Sequence, residues 1–157
     1  MFNFKTVAAF SGIFLLAGTV VHAESHVPVA ITGPADVGWS PAPPVLPKGA
    51  EISVLSGNPF ADGIFTLRLK MPAGYDIPGH WHSGAELVTV ISGALHLGHG
   101  ETMDRTSPIL LGVGGFVDLP GMHPHYAWTT EATVVQIHGP GPFDMTYYDT
   151  DYDPQAD

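Results

Sequence analysis

The sequence predicts an all-β fold, a sandwich or a small barrel, on three observations. Nineteen glycines and fifteen prolines among 157 residues require many turns and short elements. Short apolar runs recur at close spacing, each cut off by Gly, Pro, Asn or Ser. No 3.6-residue apolar period follows residue 24, so no helix is expected to carry the core. The length allows one domain, which should bury roughly 68–70% of its unfolded surface.

In chain order, Glu51 to Leu55 and Ile64 to Met71 read as strands, separated by Ser56-Gly57-Asn58-Pro59 and Ala61-Asp62-Gly63. In the second strand Phe65, Leu67 and Leu69 share one face while Thr66, Arg68 and Lys70 share the other. Leu87 to Ile91 follows, then the Ser92-Gly93 turn, then Ala94 to Gly98. Phe116 to Leu119, Tyr126 to Trp128 and Ala132 to His138 complete the set. Strands at this spacing fit a sandwich or barrel.

Four segments are expected. Residues 1–23 read as a signal peptide: Lys5, an apolar run from Val7 to Val21, then the small-x-small site Val21-His22-Ala23. The run is short for a membrane span and no basic stop follows it. Cleavage would leave Glu24 as the mature terminus and move the formal charge from -10 to -11 by removing Lys5. Residues 24–48 form a proline-rich arm, extended over the domain surface or solvated as a leader. Residues 49–145 form the barrel. Residues 146–157 form an acidic tail in which Asp149, Asp151 and Asp153 mimic a calcium loop, but Pro154 stands where that loop needs glycine.

Charged residues make up only 13% of the chain and the balance is acidic, which argues against nucleic acid and anionic membrane surfaces as partners. With no cysteine, disulfides, thiolate ligands and a lipoprotein anchor are excluded. An exported, disulfide-free domain suits a periplasmic or secreted location, the bacterial periplasm above all. The leader has no twin-arginine pair, so export would be unfolded and metal acquired afterwards.

The chemistry sits in Gly74-Tyr75-Asp76-Ile77-Pro78-Gly79-His80-Trp81-His82-Ser83-Gly84-Ala85-Glu86, closed by Gly93. On an extended strand His80 and His82 leave the same face, and Glu86 follows beyond a Ser-Gly break. Two imidazoles and a carboxylate converging this way make half a site for a divalent transition metal. A further ligand is offered by Gly121-Met122-His123-Pro124-His125. His125 opens a strand-like run and is preferred over His123, which lies in a turn. His96, His99 and His138 are read as solvent-facing or hydrogen-bonded.

Gly74, His80, His82, Glu86 and Gly93 match every fixed position of the first cupin motif, G-x5-H-x-H-x3-E-x6-G. Leu119-Pro120 through His125 resembles the second, G-x5-P-x-G-x2-H-x3-N, with glycine displaced to Gly121 and Trp128 or Thr129 in place of Asn. The chain thus resembles small exported single-domain cupins over roughly residues 49–142. The resemblance implies a double-stranded β-helix, the jelly-roll barrel. It implies one divalent metal (Fe, Mn, Cu, Ni, Co or Zn) on His80, His82, Glu86 and His125. It also implies a homodimer through strand faces and the arm.

Two function classes compete. One is a metal-dependent oxidoreductase, dioxygenase-like, acting on a small organic molecule, or a Lewis-acid isomerase or hydrolase. The other is a non-catalytic metal or small-ligand binding protein. Arg68, Gln136 and His138 are the polar candidates for gripping a substrate. Trp81, Phe116, Tyr126 and Trp128 are candidates for an aromatic pocket.

Overall fold

A computed structural model of the chain describes residues 30, 31 and 33–153; the expected signal peptide lies outside them. Two antiparallel sheets face each other. The first runs in the order β1 (Ser40–Pro41), β2 (Glu51–Ser56), β3 (Gly63–Met71), β10 (Thr133–Gly141), β5 (Glu86–Ser92), β8 (Phe116–Leu119). The second runs β11 (Thr146–Tyr147), β4 (Asp76–Trp81), β9 (His125–Trp128), β6 (Leu95–His99), β7 (Ile109–Leu111). This is the jelly-roll arrangement. Successive segments cross from one sheet to the other, as in β3 to β4 and β4 to β5, so both inner faces enclose one core.

Alternation builds the inner faces. Phe65, Leu67, Leu69 and Met71 on β3 are buried, as are Val135 and Ile137 on β10 and Val88 and Val90 on β5. The intervening residues Arg68, Gln136 and Thr89 are partly exposed. At the end of β5, Gly93 turns the chain with φ +74°, and a Cβ there would sit 2.5 Å from the Ala132 carbonyl. Both facts require glycine.

Proline positions follow the hydrogen-bond ladder. Pro41 lies on the edge strand β1, and Pro140 lies where β10 has only β3 beside it. Pro78 is different, because β4 is an interior strand. The register there jumps: Ile77 faces Ala127 but His80 faces His125, so β4 carries one extra residue at Pro78–Gly79. That bulge shifts the phase of the strand. Ile77 and His80 are three apart and would point to opposite faces of a regular strand, yet both line the interior. Gly79 is obligatory here, since a Cβ would fall 1.7 Å from the Glu101 carbonyl oxygen. Strand β11 clamps the same place: Tyr147 pairs with His80, and the Tyr148 amide donates to the Gly79 carbonyl.

Strands β1, β7 and β11 were not expected from the sequence. Each is two or three residues long at a sheet edge, too short for periodicity to register. Strand β11 lies on the tail side of the boundary expected at residue 146. The next acidic residues form a 3-10 turn, Thr150–Tyr152, with the Asp151 amide bonded to the Asp149 side chain.

The described part of the proline-rich arm packs on its own barrel. Strand β1 pairs with β2, Tyr75 Oη donates to the Pro47 carbonyl, and Tyr147 Oη donates to the Val45 carbonyl. Lys70 lies over the Trp39 ring. An arm with these partners does not call for a second subunit to cover it.

Met122 stands where the second motif places glycine, and it takes the glycine conformation, φ +64°. Its amide donates to the His82 carbonyl, which fixes the turn. The left-handed region costs a side-chain-bearing residue about 1–2 kcal/mol, and glycine's greater unfolded-state freedom returns about half of that. Met122 is 60% exposed, so little packing is lost on truncation. Met122→Gly should therefore stabilise the protein by up to about 1 kcal/mol, raising Tm by about 2–4 °C; thermal denaturation of the two proteins reads this directly.

Candidate metal centre

His80 enters the interior from the end of β4, just after the bulge, and His82 follows two residues later beyond the strand end. Glu86 is the first residue of β5, in phase with Val88 and Val90. His125 is the first residue of β9, opposite His80. All four are buried, each less than a tenth exposed. The nitrogens of His80, His82 and His125 lie within 4.8 Å of one another. Glu86 Oε2 lies 3.4 Å from His82 Nε2 and 3.3 Å from His125 Nε2.

Each ring is held by its other nitrogen. His80 Nδ1 meets the Pro78 carbonyl at 2.7 Å, His82 Nδ1 the Asp144 carbonyl at 2.5 Å, and His125 Nδ1 the His123 carbonyl at 2.9 Å. A carbonyl can only accept, so Nδ1 carries a proton in all three rings, and in the neutral ring it is Nε2 that presents the lone pair. The ring nitrogens lie close to one another, with those of His82 and His125 beside the Glu86 carboxylate. His82 Nε2 is buried without a hydrogen-bond partner, an arrangement that is costly unless a cation fills it. Backbone-anchored Nδ1 with a free Nε2 is how proteins hold metal-ligating histidines. Three imidazoles and one carboxylate suit a divalent transition ion better than calcium or magnesium. The residues fit the group.

Protonation states agree with that fit. Burial, reinforced by the neighbouring His125 and His82 rings, pushes His80 down to about 3, so it stays neutral. Burial alone would raise the Glu86 carboxyl, but His125 and His82 outweigh it and hold Glu86 well below the usual carboxylate range. Burial lowers His82, yet Glu86 more than compensates and its pKa ends above the ordinary value. A proton and a metal ion thus compete for the same point between His82 and Glu86.

His123 is not part of the cluster. Its ring meets His99 Nδ1 at 2.8 Å through Nε2, while its carbonyl serves His125. His96 stacks on Trp128 with ring centroids 5.0 Å apart, on the face opposite to the one carrying Leu95 and Leu97.

Above the cluster is a cavity of about 390 Å³. Its walls are aliphatic, chiefly Leu67, Leu69, Val88, Leu97 and Ile137, and the arm supplies Pro43, Val45 and Leu46. Two expectations about substrate contacts are corrected. Arg68, Gln136 and His138 are in the outward phase of β3 and β10 and do not line the cavity; Arg68 Nε bonds to Gln136 Oε1 at 3.3 Å. Trp81, Phe116, Tyr126 and Trp128 do not line it either. Phe116 is 52% exposed. Tyr126 and Trp128 alternate with the inward Ala127 and stack on each other on the outer face, where Arg105 lies over Trp128. The strand period, applied to His125 and Ala127, would have assigned both rings to that face.

Two contributors escaped sequence reasoning. Phe143 stacks on the His82 ring at 4.4 Å. Asp144 anchors His82 through its backbone, and its carboxylate accepts from the Ser83 amide and hydroxyl at 2.7 and 2.9 Å. Both lie in the loop after β10, which has no periodic pattern to reveal them.

No family profile matches the chain, and no curated protein matches it. Solved structures do. The polyketide cyclase RemF of Streptomyces resistomycificus superposes with a TM-score of 0.65 at 18% identity, covering 80% of this chain and 89% of its own. A protein of Methylibium petroleiphilum, provisionally assigned as an acetylacetone dioxygenase, gives 0.61 at 19%, covering 84% and 89%. An RmlC-like cupin of Ralstonia eutropha gives 0.59 at 19%, covering 78% and 74%. Identities this low speak to architecture, which agrees with the two-sheet barrel: the chain has the cupin fold.

Proposed function

We propose that this protein is exported and uses one transition metal ion, held by His80, His82, Glu86 and His125, to act on a small organic molecule. The observation that carries the reading is the set of three Nδ1–carbonyl anchors, which leave three Nε2 lone pairs converging beside Glu86. A bound redox-active ion would supply electron transfer toward an organic substrate, and any such ion would supply Lewis acidity. The chain's own residues do the rest. The aliphatic walls exclude water, the arm closes one side of the cavity, and the anchored rings hold the donors without reorganisation. Oxidation is the favoured chemistry, since a nitrogen-rich set with one carboxylate accepts iron, manganese and copper. The names of the matching structures, a cyclase and a provisional dioxygenase, fit a small-molecule substrate.

Three measurements test this. Elemental analysis should find one metal per chain in the wild type and in His123→Ala, and loss in His80→Ala, His82→Ala and His125→Ala. Glu86→Gln should weaken binding by about tenfold or more by removing the one charge in the set. Full occupancy in His125→Ala with loss in His123→Ala would reassign the third imidazole. Oxygen uptake should appear with iron-, manganese- or copper-loaded protein against phenols, diketones or sugar acids. If only zinc binds and no loaded form consumes oxygen, a non-catalytic binding role replaces the redox reading. Native mass spectrometry of the periplasmic fraction should show a chain beginning at Glu24. It also counts the chains, two being expected from the resemblance.

A further inference from the structure

The charges around the cavity restrict what the site can take. Five of the lining residues carry polar side chains: His80, His82, Glu86, His125 and Asp144. The remaining lining residues are aliphatic, Phe, Met or Pro, and none is a lysine, arginine, serine, threonine, asparagine or glutamine. Of the described cations, Arg68 bonds Gln136, Lys70 pairs with Glu51, Arg105 pairs with Asp76, and Lys48 is exposed on the arm outside the lining. Asp144, an exposed member of the lining, presents a carboxylate tied to Ser83.

Three neutral imidazoles and one carboxylate leave a divalent ion with a single positive charge. One negative charge on a ligand cancels it. A second anionic group would lie among aliphatic side chains with no counterion, facing Asp144. A cationic group would meet a site already positive at its inner end, and its distal charge would lie against the same apolar wall, with the Ser83-bound Asp144 as the one carboxylate there to answer it. Hydroxyl groups away from the ion would be buried without partners, each costing on the order of tenfold in affinity.

We propose that the cavity takes an apolar, overall neutral organic molecule whose oxygens are gathered at one end. It meets the ion as a singly charged oxygen chelate, as the enol of a 1,3-dicarbonyl does on releasing its proton to solvent. The inference deepens the functional reading above and rests on it. The apolar body of the ligand lies against the β3, β5 and β10 walls and under Val45 and Leu46 of the arm.

The test uses purified protein loaded with cobalt(II), whose visible absorption reports a change of ligands without turnover. Three probes share one chelating head: 1-phenyl-1,3-butanedione, and the same diketone bearing a para-carboxylate or a para-trimethylammonium group on the ring. Spectroscopic titration and calorimetry should show the unsubstituted diketone binding at least about tenfold more tightly than either charged form. Equal or tighter binding of a charged form overturns the inference, as does tighter binding of 2-oxoglutarate, a dianionic chelator, than of the neutral diketone. The two readings fail separately. Protein that elemental analysis shows to be free of cobalt sinks the metal centre and the inference with it. Fully loaded protein that prefers a charged ligand sinks the inference alone.

Discussion

Three backbone carbonyls, those of Pro78, His123 and Asp144, fix the character of this molecule. Each accepts the Nδ1 proton of one histidine, and so each decides which nitrogen of that ring is basic. A histidine free to rotate would turn its lone pair toward water. Anchored, the three rings cannot relax, and the interior retains a point of unsatisfied negative potential. Tertiary structure exists here in part to hold those carbonyls still. Pro78 is rigid and sits in a bulge, His123 precedes a proline, and Asp144 is tied down through Ser83.

Around that polar point the barrel is apolar almost without interruption, which makes the electrostatics strong and simple. Few groups compete with the cluster for hydrogen bonds, and the low polarity of the walls raises the weight of every charge present. The polar and aromatic residues that would complicate the picture stand on the outer faces. There Arg105 links Asp76 to Trp128, and Trp128 stacks with both His96 and Tyr126. The sheets thus separate two kinds of chemistry by side-chain phase alone.

Much of this was legible in the sequence because it rests on local spacing. Period-two alternation on β3 and β10 identifies the inner faces, and His80, His82 and Glu86 lie near enough in sequence to be read as one unit. His125 could be preferred over His123 because a strand holds a side chain better than a turn does. What stayed hidden depends on distant chain segments. The bulge at Gly79 is imposed by the approach of the Glu101 carbonyl. The part played by Asp144 is a backbone carbonyl's, which residue type does not encode. The arm's seat depends on Tyr75 and Tyr147, and nothing in a proline-rich composition points to either. Reading Tyr126 and Trp128 as pocket residues followed residue type where strand phase, already available, pointed outward.

The bond from Tyr147 to Val45 joins positions 102 residues apart, and it has a consequence for the order of assembly. Synthesis delivers the arm well before its latch. Until β11 settles beside β4, the arm is held by β2 and Tyr75 without its Tyr147 bond. An ion bound before that bond forms would meet a cavity whose Val45 wall is not yet held by Tyr147. Val45 and Tyr147 thus act as the two ends of a drawstring, tied across the cavity that Val45 lines.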